Sequence, residues 1–202
     1  MIAVIDYGAG NLRSVMSALN RVGAPTRIAE TSSELASARA VILPGVGAAA
    51  DTMENLRGRG LADAVIDWIR ADRPFLGICM GLQVLFSVSD EGGGQECLGA
   101  LPGRVVRLEN GLKVPHMGWN QVTYASPSPL FADIPDNSYF YFVHSYVVQP
   151  EDQSIVLGRT DYGGYFCSAV QSGNLVATQF HPEKSGELGL QVYRNFVSSF
   201  VS

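Results

Sequence analysis

The sequence predicts an α/β fold: a doubly wound, mostly parallel central sheet flanked by helices, with antiparallel strands added in the second half. Three observations lead there. The apolar runs are short, as in IAVI, AVILPGVG and FLGICMG, and glycine or proline bounds them, as expected of strands buried on both faces. In the first half these runs alternate with stretches of helical periodicity. In the second half, strand signals follow one another without helices, separated by turns such as DYGG and SGN.

Each element has its own signal. Residues 2–6 read as a buried strand, and the turn YGAGN leads into a helix with Leu12, Val15, Leu19 and Val22 on one face. Asn11 is placed to cap its start and Gly23 its end. Strands are predicted over 26–29, 41–43 and 75–78, and helices over about 50–57, 62–71 and 80–87. Further strands are predicted over 104–108, 120–124, 139–148, 155–160, 165–171 and 174–180. A last helix, about 186–200, carries Leu188, Val192, Phe196 and Phe200. No linker or repeat divides the chain, so one domain is expected over residues 1–202.

Composition removes several functions. Hydrophobic residues make up 47% and charged residues 16%, which excludes a disordered chain. Mean hydropathy is +0.12, yet no apolar run approaches the ~18 residues of a membrane span. Net charge is −5 with no basic stripe, which argues against nucleic-acid binding. The start, MIAVIDYG, does not read as a secretory leader, so a cytoplasmic protein with reduced thiols is expected. The three cysteines, Cys79, Cys97 and Cys167, form no CxxC pair, and neither a disulfide framework nor a structural metal site follows. No cofactor is called for.

Chemistry concentrates in three segments. Gly77-Ile78-Cys79-Met80-Gly81 is a G-x-nucleophile-x-G pattern between a predicted strand and helix, where a strained turn needs glycine neighbours. A cysteine at a helix N-terminus also feels the positive dipole end, which favours thiolate. His181, in QFHPEKS, follows the end of an apolar strand, with Glu183 two residues on to orient its ring. Pro44-Gly45-Val46-Gly47 ends the VIL strand, so its backbone N–H groups can face the same cleft. With the N–H of Met80, they are candidates for an oxyanion hole, and the two glycines let the peptide planes rotate. His144, in an aromatic strand end, reads as a hydrogen-bonded structural histidine. His116 reads as lining a surface groove, and Cys97 and Cys167 as unreactive thiols.

PGVG, GICMGLQ and HPEKS, in that order, resemble the class I (triad) glutamine amidotransferases. DYGAGNLRS, PHMGWN, YFVHSY and QFHPEKSGELGL resemble, within that family, the glutaminase subunits of imidazole glycerol phosphate synthases. The similarity spans essentially the whole chain. It departs where Ala48-Ala49-Ala50 follows PGVG and in the 92–100 loop. The resemblance implies a flavodoxin-like fold and hydrolysis of glutamine by Cys79, His181 and Glu183. It places the oxyanion on Gly45, Val46 and Met80, and glutamine against Gln83, Glu91, Ser145 and Tyr146. It also implies a heterodimer with a TIM-barrel cyclase near Met117, Trp119, Tyr141 and Lys184. That partner would use the ammonia to make imidazole glycerol phosphate and AICAR from a ribulosyl precursor (PRFAR) in histidine biosynthesis.

Other readings stand beside this one: a glutaminase of the pyridoxal phosphate or anthranilate pathway, a stand-alone cysteine hydrolase, or a catalytically silent regulatory subunit. The partner separates the first two from the favoured reading. Loss of a triad residue would have marked the last, and all three are present.

Overall fold

A computed structural model of the chain describes residues 1–108 and 111–201. The first half runs β1 (Ile2–Ile5), α1 (Leu12–Arg21), β2 (Thr26–Ala29), α2 (Ser32–Ala36), β3 (Ala40–Leu43), α3 (Ala49–Gly58), α4 (Leu61–Arg70), β4 (Phe75–Ile78) and α5 (Met80–Gln83). The second half runs β5 (Val88–Ser89), β6 (Gln95–Glu96), β7 (Gly103–Arg107), β8 (His116–Tyr124), β9 (Ser138–His144), β10 (Tyr146–Pro150), β11 (Val156–Asp161), β12 (Tyr165–Ser172), β13 (Leu175–Thr178) and α6 (Gly186–Phe200). The central strands β2-β1-β3-β4-β13 are all parallel, and β12, β10 and β7 extend the sheet antiparallel. The sheet is open, and β8 and β9 form a hairpin branching from β11.

The parallel strands are buried on both faces, as their unbroken apolar runs require. Ala3 and Ile5, Val41 and Leu43, and Leu175 and Ala177 face one core. There they meet Met53 and Leu56 of α3 and Leu61, Val65 and Trp68 of α4. Val4, Ala40 and Ile42, Leu76 and Ile78, and Val176 face the other core. That side is covered by Val15 and Leu19 of α1 and by Val192, Phe196 and Phe200 of α6.

Helix α1 ends as expected: Gly23 has φ +73°, its N–H bonds to Asn20, and the Ala24 N–H bonds to Leu19, a Schellman closure. Its start differs, because the Asn11 side chain makes no capping bond. Helix α2 was not predicted. It is one short turn closed by a capping box between Thr31 and Glu34, with only Leu35 buried.

Three predicted boundaries shift for physical reasons. The helix expected over 80–87 stops at Gln83. The carbonyls of Val84, Leu85 and Phe86 are taken by the N–H groups of Leu98, Leu101 and Gly99, so they are not free to continue it. The strand expected over 139–148 breaks at Ser145, whose carbonyl accepts from Leu108 N–H, and its halves join different partners. The strand expected over 120–124 starts earlier, at His116, because His116–Val122 all pair with β9.

Glycine at 77 and 81 is required by space. A Cβ on Gly81 would run into the carbonyl oxygen of Leu43, and one on Gly77 would lie 2.7 Å from the Gly81 oxygen. The first turn of α5 therefore rests directly on the ends of β3 and β4. Gly81→Ala is expected to cost about 3 kcal/mol, lowering Tm by roughly 6–12 °C. Gly23→Ala meets nothing within 4 Å and bears only the left-handed backbone cost, about 1 kcal/mol. Calorimetry of the two variants checks the difference, and equal losses would contradict the steric account.

Candidate active site

Register brings the three chemical segments to one edge. Leu43 of β3 pairs with Gly77 of β4, and Ile78 of β4 pairs with Thr178 of β13. The carboxyl ends of these neighbouring strands carry Pro44–Gly47, Cys79 and His181. A crevice at that edge is where ligands bind in open parallel sheets. The crevice here has a volume of about 380 Å³ and is lined by Val46, Cys79, Met80, Gln83, Glu91 and His181, among others.

Cys79 occupies a strained conformation, φ 55° and ψ −105°, on the turn between β4 and α5. Its N–H donates to Thr178 O at 2.7 Å, and its own carbonyl accepts from Leu82 and Gln83. The sulfur is 3.9 Å from the Val143 carbonyl and 3.6 Å from the Gln179 amide nitrogen.

His181 is 1% exposed, and its Nδ1 lies 2.8 Å from Glu183 Oε1, whose side chain is equally buried. Nε2 has no nitrogen or oxygen partner among the described residues and is left for the Cys79 sulfur beside it. Burial pushes this imidazole down, but the bonds and charges of Cys79 and Glu183 together push it further up, so the net direction is upward. That arrangement favours an imidazolium beside the sulfur. The backbone is also fixed: His181 N–H donates to Tyr141 O, and Ser185 Oγ donates to His181 O at 2.7 Å.

The expected oxyanion residues divide. Val46 and Met80 line the cavity. Gly45 packs beneath Met80, where a Cβ would stand 2.6 Å from Met80 Cβ, so close approach is the reason for glycine there.

Of the residues expected to hold glutamine, Gln83, Glu91, Ser145 and Tyr146 all line the cavity. Gln83 Nε2 donates to Tyr146 O at 3.0 Å and to Gln179 Oε1 at 3.1 Å, and its Oε1 is buried without a partner among the described residues. Glu91 Oε2 accepts from Ala49 N–H at 2.7 Å, which caps α3 where the Ala48 side chain cannot.

The residues expected at a partner surface form one strip. Met117 and Trp119 are 62% and 55% exposed. Trp119 pairs with Tyr141 across the hairpin and meets its ring edge-on at 6.1 Å. Lys184 Nζ lies 5.7 Å from the Tyr141 ring centre, at the cavity mouth.

His144 is the hydrogen-bonded histidine the sequence suggests, but His116 is not on a surface groove. It is 3% exposed, stacks on Tyr162 at 4.0 Å, and contacts His144. Their protons follow from the partners. The Tyr146 carbonyl only accepts, so His144 Nδ1 donates to it at 3.0 Å. His144 Nε2 must then accept from His116 Nδ1 at 2.9 Å, and His116 Nε2 accepts from Asn120 at 3.3 Å. Both rings are neutral and saturated. Neither this pair nor Gln179 was assigned a place in the site from sequence, although PHMGWN, YFVHSY and QFHPE contain them. Cys97 and Cys167 lie outside the cavity, and burial pushes their thiols up to about 11 and about 12.

Residues 3–199 match the family described as glutamine amidotransferase class-I, and the chain belongs to that family. Among individual relatives, it is 53% identical over 196 residues to imidazole glycerol phosphate synthase subunit HisH of Dehalococcoides mccartyi (strain CBDB1), covering 97% of this chain and 96% of that one. It is 52% identical over 195 residues to the same subunit of Moorella thermoacetica, covering 96% and 93%. A solved structure described as a glutamine amidotransferase superposes with a TM-score of 0.78 at 22% identity over 98% of both chains, a likeness of fold.

The two neutral histidines have a measurable consequence. Burial lowers His116 to about 4, and burial with the neighbouring His116 ring lowers His144 to about 3. Unfolded histidines protonate near 6.5, so unfolding takes up protons below that pH. Their stabilisation is complete above pH 6.5 and drains away as pH falls towards 4 and 3. The urea midpoint is expected to drop steadily from pH 6.5 to 4, and much less steeply in His116→Gln/His144→Gln. Parallel profiles would contradict the assigned protonation.

Proposed function

We propose that this chain is the glutaminase subunit of imidazole glycerol phosphate synthase, working as one domain in the cytoplasm, in histidine biosynthesis. The observation that carries the reading is the meeting in one cavity of Cys79, on its strained turn, with His181, whose ring the buried Glu183 holds from behind. The relatives' shared name supports the pathway.

In this reading Gln83, Glu91, Ser145 and Tyr146 hold glutamine with its carboxamide at Cys79. The thiolate attacks the carboxamide carbon, and the oxyanion forms against the N–H groups of Val46 and Met80. His181 gives its proton to the departing ammonia, leaving a thioester. It then takes a proton from water, which attacks the thioester and frees glutamate and Cys79. Glu183 holds the ring through Nδ1 and offsets the imidazolium charge.

Ammonia released into bulk water would be protonated and lost as a nucleophile. A TIM-barrel cyclase docked on Met117, Trp119, Tyr141 and Lys184 receives it and converts PRFAR to imidazole glycerol phosphate and AICAR. An exposed Met–Gly–Trp strand beside the cavity mouth has the composition of an interface. This docking face favours the partner-dependent enzyme over a stand-alone hydrolase.

Cys79→Ala is expected to abolish glutamate release while the reconstituted synthase still turns over with ammonium salts. Residual glutamine hydrolysis would remove Cys79 from the mechanism. Glu183→Gln keeps the contact to Nδ1 but loses the charge, and kcat is expected to fall by about 10²–10⁴. Steady-state kinetics within twofold of the unaltered protein would reduce Glu183 to a turn residue.

A further inference from the structure

We propose that the Gln179 carboxamide is a catalytic residue of the glutaminase site, holding the Cys79 thiolate by donating an N–H to its sulfur. The proposal rests on the reading of Cys79 as nucleophile. Gln179 is fully buried, and its Nε2 is 3.6 Å from Cys79 Sγ.

The direction of that bond follows from partners with no choice of role. The Tyr146 carbonyl only accepts, so Gln83 must turn its NH₂ towards it, at 3.0 Å. The second N–H of Gln83 then meets Gln179 at 3.1 Å and requires an oxygen there. Gln179 is left with its NH₂ facing the sulfur. The Tyr146 carbonyl is itself held by His144 Nδ1–H, whose tautomer is set by His116 and Asn120. An unbroken set of oriented hydrogen bonds thus runs from β8 to the nucleophile.

The sulfur needs such a donor. Among the groups near it, the Val143 carbonyl can only accept, which suits the thiol and opposes the thiolate. Helix α5 is one turn of four residues, too short for a full macrodipole. Attractive contacts to the negative sulfur come from His181 and from Gln179. The sulfur is negative before it attacks and again when the thioester releases it, and the amide N–H faces it at both stages. A hydrogen bond to a charged group is stronger than a neutral one and is felt where the charge resides.

Two variants separate this role from that of a prop for Gln83. Gln179→Met fills the volume and removes both bonds. Gln179→Glu keeps an acceptor for Gln83 and removes the donor to sulfur. With the full chain at pH 7, iodoacetamide should alkylate Cys79 at least about tenfold more slowly in both variants. The kcat for glutamine should fall on the same scale with KM within twofold. Recovery by Gln179→Glu, a rise in KM alone, or unchanged alkylation would overturn the proposal while leaving the nucleophile in place. If Cys79 of the unaltered protein reacts no faster than Cys97 and Cys167, the nucleophile reading itself fails, and this proposal with it.

Discussion

The contact on which the site depends is between Gly81 and the carbonyl of Leu43. It admits no Cβ, so the turn after β4 can sit directly on the end of β3. That seat fixes Cys79 in its strained backbone and puts it beside the strand that leads to Pro44–Gly47. The pairing of β4 with β13 on the other side then delivers His181. The site is therefore a property of three neighbouring strand ends and one close approach.

The parallel half of the fold was legible because each of its strands is a short apolar run between turn residues, the pattern of burial on two faces. The triad candidates were legible for a related reason. Cys79 directly follows β4, His181 and Glu183 come within five residues of the end of β13, and parallel strands bring their ends to one edge. What escaped was set by partners distant in sequence. His116 lies between Pro115 and Gly118, which reads as a loop, yet pairing with His144 makes it the buried first residue of a strand. The helix after Cys79 shortens because residues 98–101 take its carbonyls, a contact no periodicity reveals. Helix α2 carried a sequence signal, the Thr31–Glu34 box, but buries one side chain and so lacks a repeating apolar face.

Polar groups fill this interior without charge cost where their partners are complete. His116, His144, Gln83 and Gln179 are all buried, and their N–H groups each find an acceptor along one chain of bonds that leaves only Gln83 Oε1 without a partner. Among the described residues, six buried oxygens lack a partner: Gln83 Oε1 and Glu183 Oε2, on groups that flank Cys79 and His181, and the hydroxyls of Tyr7, Thr160, Ser168 and Tyr193. Burying such atoms is unfavourable, and the two beside Cys79 and His181 lie where a bound group can offset the loss.

The brace behind α5 has a consequence for how the chain tolerates change. Segment 97–101 supplies the N–H groups that terminate the helix, so it acts as a template whose length is matched to the elbow it closes. An insertion on the hairpin side of the molecule would lengthen a connection. An insertion within 97–101 would change where the helix ends, and with it the pitch of Cys79. Indels are therefore admissible in the three glycines at 92–94 and incompatible with the few residues that follow them.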